Sequence, residues 1–318
     1  MSTNMKAGGA CGTTCGIKFS TALLHPRYWL TWLGLLLAFF VALLPNKARH
    51  TIGRWIGNFI YKKSDKRRHI INVNLKIAFP DLDDKQRDAM TRAQLQWYGC
   101  ALTDYSLLFF GSKTRLSKML EIEGQQHIDE AINNDRSIII LLAHSVMLEF
   151  APTALGLHYD CFGSYKTSKN AVLNWMIARS RCRHVNFVVS REEGMRKLIK
   201  SLIPKRLMIF LPDEDLGINN AVFAPFFSKE KATLSTTARL AKMGKAVALP
   251  TFSWYDTATQ KYKIHIAQHL HNYPTGNAKQ DAILLNEAFE KLIKEHPEQY
   301  MWTMKWFKTR PENEASLY

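Results

Sequence analysis

Between residues 28 and 44 the chain reads YWLTWLGLLLAFFVALL, without a charge, and stops at Pro45. A run this short is at the lower bound for crossing a bilayer, which takes roughly 17–25 residues. It is apolar all around any helix it forms and carries Trp29 and Trp32, which predicts a membrane anchor rather than a core helix. A secretory leader fits less well: the run exceeds a usual leader core, and no small-residue cleavage site precedes the basic stretch that follows. That stretch, RHTIGRWIGNFIYKK, sets Trp55, Ile56, Phe59 and Ile60 among cations at helical spacing, the pattern of a helix lying on an anionic membrane surface. Residues 1–20, rich in Gly, Ser, Thr and Ala and aperiodic, read as a mobile tail.

Residues 82–110 carry a helical pattern. From about 136 the period alternates. SIIILLA at 137–143 is an uninterrupted, β-branched apolar run, hence a buried strand. Further strands are expected near 159–165, 185–189, 207–211, 246–252 and 262–266. Helices are expected over 171–181, 192–202, 232–243 and 281–295. Strands alternating with helices predict an α/β fold, a mainly parallel central sheet flanked by helices, with an N-terminal membrane-anchor helix. The chain then divides into tail (1–20), anchor and basic interfacial helix (21–70) and a cytoplasmic catalytic domain (71–318). Ligands of such sheets sit beyond the carboxyl ends of the strands.

Charge sharpens this. Lys and Arg number 43 against 27 Asp and Glu, a net charge of +16. So basic a chain suits a polyanionic partner: nucleic acid, anionic lipid or an acidic carrier protein. Cations are sparse before the apolar run and dense after it, which puts the following domain on the cytoplasmic side. The five cysteines are scattered and odd in number, so they read as reduced, mostly structural thiols, and no paired Cys or His cluster completes a metal site.

His144 directly follows the strand at 137–143, where an α/β site belongs, and Glu149 comes five residues later. On one helix they would stand about 140° apart, so they meet only if His144 lies in the turn and Glu149 in the new helix. A carboxylate beside an imidazole fixes its tautomer and stabilises the imidazolium formed when it takes a proton. A second cluster, Tyr165, Lys166, Lys169, Asn170, Arg179, Arg181 and Arg183, could hold a phosphate or form a solvated basic face. A third, Pro212 to Asp215 with Gly217 and Phe223 to Phe227, sets carboxylates at another strand end, and its FAPFF loop, with Phe226 and Phe227, could wall an acyl pocket. The fourth, YMWTMKWFKTRP from Tyr300, interleaves aromatics and cations, as a membrane or nucleic-acid surface would. No G-x-S-x-G elbow, P-loop, H-E-x-x-H or G-x-G-x-x-G is present.

Together these blocks resemble the lipid A late acyltransferases of Gram-negative bacteria, within the lysophospholipid acyltransferase-like superfamily. Asn74-Leu75 with Phe79-Pro80 is similar to the family's N-L-x-x-x-F-P element, and His144 with Glu149 to its His-x4-Asp/Glu dyad. Tyr165, Asn170, Arg179 and Arg181 resemble its basic block. Asp213, Gly217, Phe223, Pro225, Phe226, Phe227, Ala232 and Thr233 resemble D-x-x-x-G…F-x-P-F-F…A-T, and Tyr300, Met301, Trp302, Lys308, Arg310 and Pro311 the closing Y-M-W…K-T-R-P. Met304, Lys305 and Ser228 depart from it without touching the dyad.

The resemblance implies fatty acyl transfer from acyl carrier protein, as co-substrate, to a 3-hydroxyacyl hydroxyl of a lipid A precursor. The place would be the cytoplasmic face of the inner membrane, with neither cofactor, metal nor nucleic acid. His144 would be general base and Glu149 its orienting carboxylate. Arg181 and Arg179 would hold phosphate or the oxyanion, with Tyr165, Lys166 and Asn170 beside them, and Asp213 would order the loop. A glycerophospholipid acyltransferase with the same dyad is the alternative; the N-L-x-x-x-F-P and Y-M-W blocks speak against it. A basic nucleic-acid binder and a non-catalytic lipid-binding scaffold are the rivals of other classes.

Overall fold

The structure is a computed structural model that describes residues 18–165, 167–190, 194–312 and 314–318. Two short 3-10 turns, Thr21–Leu24 and Pro26–Tyr28, lead into α1 (Trp29–Leu43), which Pro45 separates from α2 (Asn46–Lys63). Then come α3 (Asp65–Ala78), the long α4 (Asp84–Phe110), α5 (Lys113–Met119), β1 (Leu120–Glu123), α6 (Gln125–Asn133), β2 (Ser137–Leu142), α7 (Phe150–His158), β3 (Cys161–Tyr165) and α8 (Ala171–Arg181). The chain continues through β4 (Phe187–Ser190), α9 (Met195–Ser201), β5 (Leu207–Phe210), β6 (Ala221–Phe226), β7 (Lys229–Leu234), α10 (Thr236–Gly244), β8 (Ala246–Asp256), β9 (Lys261–Ile266) and α11 (Ala278–Glu295).

Seven strands form one sheet in the order β1-β9-β8-β2-β5-β3-β4. All neighbours are parallel except β8 and β9, which are antiparallel. β2 is central, and every one of its residues is buried. Its alternation explains the two-sided packing. Ile139 and Leu141 join a core with residues of α3, α9, α10 and α11. Ile138, Ile140 and Leu142 join the opposite core, with α6 and α7. The α/β expectation holds.

Two expected elements change. Residues 232–243 are not one helix: 229–234 form β7, and the helix begins at Thr236. The FAPFF segment is not a loop but most of β6, paired antiparallel with β7. Pro225 is tolerated there because a two-stranded hairpin has edges on which a missing N–H costs little.

α2 packs along α4. Gly57 is required there, because a Cβ would collide with the Leu95 carbonyl oxygen. Farther along, fully buried Arg49 donates from Nε to Asp104 Oδ1 at 2.9 Å, and His50 Nε2 lies 2.7 Å from Asp104 Oδ2. Cys100 and Cys161 are buried free thiols, and burial pushes both up to about 12. Cys182 is disulfide-bonded, contrary to the expectation that every thiol is reduced; scatter along the chain says nothing of proximity in space.

Candidate active site

The site follows from sheet register. β2 and β5 are parallel neighbours with Leu141 opposite Phe210. Three residues beyond each lie His144 and Asp213, so the two leave the carboxyl edge side by side. Asp213 Oδ1 lies 2.5 Å from His144 Nδ1, and Asp213 Oδ2 accepts from the His144 backbone N–H at 2.8 Å. Tyr300 Oη donates to the same Oδ2 at 2.9 Å. Burial by itself pushes the Asp213 carboxyl up. The His144 charge and hydrogen bonds, with the Lys231 charge, outweigh burial and hold it below the usual carboxylate range. An ionised carboxylate only accepts, so the Nδ1 proton points at Asp213 and Nε2 is the basic nitrogen.

Asp213 was expected to order a loop, and Glu149 to orient the histidine. In the structure it is Asp213 that hydrogen-bonds to the imidazole, while Glu149 pairs with Arg181. Glu149 sits at the start of α7 and turns its carboxylate to Arg181, at the end of α8. Arg181 Nε donates to Glu149 Oε2 at 3.1 Å, and the terminal guanidinium nitrogen donates to Oε1. The turn through 145–149 brings Glu149 opposite α8, whereas strand register, which residue spacing does not report, brings Asp213 to the imidazole.

His144, Glu149 and Arg181 all line a cavity of about 610 Å³. Its remaining wall is mostly apolar: Leu142, Pro152, Val188, Leu198, Ile209 and Phe210 among others. Gly163 of β3 opens onto it, where an added Cβ would meet only the oxygen and Cβ of Ile209, at 3.4 and 3.7 Å. Among the described residues no group of His, Cys, Asp or Glu is placed to hold a metal ion.

Behind the imidazole stands the closing aromatic block. Met301 N donates to the His144 carbonyl at 2.9 Å, and Val146 N donates to the Gln299 carbonyl at 2.8 Å. Trp306 lies 5.8 Å from the His144 ring and stacks on Tyr300 at 4.8 Å. Tyr300, Trp302, Trp306 and Phe307 are fully buried, so this block is the wall that fixes the histidine and not a membrane or nucleic-acid surface. Asn74 ties the N-terminal block to it, donating to the carbonyls of Trp302 and Met304 at 2.8 and 2.7 Å.

A family model described as bacterial lipid A biosynthesis acyltransferase matches residues 17–309. The chain belongs to this family. It is 31% identical to the lipid A biosynthesis lauroyltransferase of Escherichia coli K12 over 302 residues, covering 95% of this chain and 98% of that one. The palmitoleoyltransferase of the same organism matches at the same identity and coverage. The myristoyltransferase is 27% identical over 304 residues, with 95% of this chain and 94% of that one covered.

For this acyltransferase the remaining expected site residues separate. Asn170 caps α8, accepting from Val172 N and Leu173 N at 3.0 and 3.1 Å, and its Nδ2 donates to Thr31 Oγ1 on α1 at 2.8 Å. Arg179 is exposed, and its guanidinium lies 5.5 Å from the Trp175 ring, on the α1 side of α8 rather than in the cavity. Phe226 and Phe227 join the aromatic core with Phe79, Trp302 and Phe307, so they do not wall the cavity. Lys166 and the Tyr165 side chain lie outside what the structure describes. Two further residues stand at the site. Tyr300 is marked in the sequence only by its place in the Y-M-W block. Lys231 is fully buried, its Nζ 5.1 Å from the Phe226 ring; burial pulls it down to about 8, against the raising influence of Asp213 and Asp215. A lone lysine in a charged hairpin gives no sequence signal of burial.

Glu149 and Arg181 form an ion pair, and a double-substitution cycle tests whether they work through it. Glu149→Gln and Arg181→Met should lower turnover to similar extents, and the double variant should fall little below either one. Independent, multiplying losses would show that the two do not work through their contact.

Proposed function

We propose that this acyltransferase moves a fatty acyl chain from an acyl carrier protein thioester to the hydroxyl of a 3-hydroxyacyl chain on a lipid A precursor, at the cytoplasmic face of the inner membrane. The single observation carrying this is the His144 imidazole, clamped at Nδ1 by a buried carboxylate at the mouth of an apolar cavity. The names of the relatives, each a lipid A biosynthesis acyltransferase, support the acceptor class. The +16 net charge suits an acidic carrier protein and a phosphorylated acceptor alike.

In this mechanism His144 Nε2 takes the proton of the acceptor hydroxyl as its oxygen attacks the thioester carbonyl. Asp213 stabilises the resulting imidazolium and keeps the ring in one tautomer. Arg181, held by Glu149, offers N–H donors to the developing oxyanion or to an acceptor phosphate. The tetrahedral intermediate collapses by breaking its C–S bond. The leaving thiolate takes the proton from Nε2, giving an ester and the free carrier thiol.

The test is mass spectrometry of lipid A from a host lacking this activity, with and without the chain. A mass gain of one acyl group is expected; unchanged lipid A would overturn the proposal. The cavity adds a finer expectation. Gly163→Leu should fill the space beside Ile209 and cut transfer of long acyl chains about tenfold or more, since each buried methylene is worth about 0.8 kcal/mol. Transfer of shorter chains should persist. Equal loss for every chain length in a folded variant would move the acyl tail elsewhere.

A further inference from the structure

We infer that α1 lies in the plane of a single leaflet, so that the chain meets the membrane from one side only; this rests on the reading of a membrane enzyme given above. The chain is pinned to the same globular body before α1 and after it. Ahead of the helix, the Phe19 ring meets Trp175 of α8 edge-on at 5.5 Å. At its first turn Thr31 accepts from Asn170 of α8, and Trp32 lies 6.0 Å from Trp175. Midway, Phe39 meets Phe110 of α4 at 5.5 Å. At the exit the Leu44 carbonyl accepts from Arg115 of α5 at 2.8 Å and from Arg49 at 2.9 Å.

With the 3-10 turn Pro26–Tyr28 running straight into it, α1 makes an eighteen-residue apolar span long enough to cross a bilayer, so length does not decide its placement. More decisive is the double attachment. If α1 crossed the bilayer, Trp175 and Arg115 would face opposite sides, and the domain joining them would have to sit in hydrocarbon. The outward face remains bare: Trp29, Leu33, Leu36, Leu37, Phe40 and Leu43 are all exposed. Exposed cations flank it, Arg27 before and Lys47 after, and α2 adds exposed Trp55 and Phe59 beside Arg54. An apolar face bordered by cations complements an anionic lipid leaflet.

Lys18 and Lys47, exposed on either side of α1, report the topology without any substitution. Full-length protein in spheroplasts and in sealed inverted inner-membrane vesicles is treated with a membrane-impermeant amine reagent and mapped by mass spectrometry. Both lysines should label from the same side, in protein that resists a high-salt wash. Labelling from opposite sides would establish a spanning helix and overturn the inference. So would recovery as a soluble dimer, which would mean that a second copy covers the face. Neither result touches the lipid A assay, so the topology and the activity fail separately.

Discussion

Alanine at position 144 should remove acyl transfer, by about 10²–10⁴-fold, while folding and membrane association persist. The ring makes its polar contacts at the edge of the sheet, and its side chain is 13% exposed, so its loss leaves no large void in the core. The measurement is initial rate with a thioester donor and a lipid A precursor, beside membrane fractionation and a thermal unfolding curve. Residual activity within about tenfold of wild type would reject His144 as general base, whatever the fate of the rest of the site.

Nearly as large a loss is expected for Asp213→Asn. Three donors converge on the two carboxylate oxygens: the His144 ring and backbone N–H groups and Tyr300 Oη. A carboxamide keeps one acceptor oxygen and turns an NH₂ toward one of those donors, which favours the wrong tautomer of the ring. In serine hydrolase triads that error costs about 10⁴-fold in turnover, and a loss of this order should appear in kcat with KM little changed. The substitution also has a pH signature. The folded pKa of Asp213 is depressed, so its ionised form contributes stability that is present above the unfolded value of about 3.9. That contribution is lost as pH falls through the folded value. The Asp213→Asn variant has no such group and should lose stability less steeply in acid. Should Glu149→Gln abolish turnover while Asp213→Asn spares it, the orienting carboxylate would be Glu149 after all.

Spacing in sequence marked Glu149 as the neighbour of His144, because five residues span one strand-to-helix turn. Asp213 stands sixty-nine residues away and becomes the neighbour only because β2 and β5 are adjacent and in register. The aromatic block after Tyr300 shows the same effect. Aromatics interleaved with cations suit a wet or lipid surface, yet the rings of Tyr300, Trp302 and Trp306 turn inward while Lys305 and Lys308 stay exposed.

The sequence by itself determined the kind of fold, because strands such as 137–142, apolar without a break, alternate with helical segments that can cover both faces of the sheet. It also determined the apolar helix at 29–43, the histidine at a strand end and, through the order of its motif blocks, the family. Tertiary structure decided which carboxylate meets the imidazole, which residues line the cavity and where α1 docks on the domain. Those are matters of strand order, register and docking between segments far apart in the chain. A side chain's local neighbours in sequence carry no record of what the folded sheet and helices bring against it.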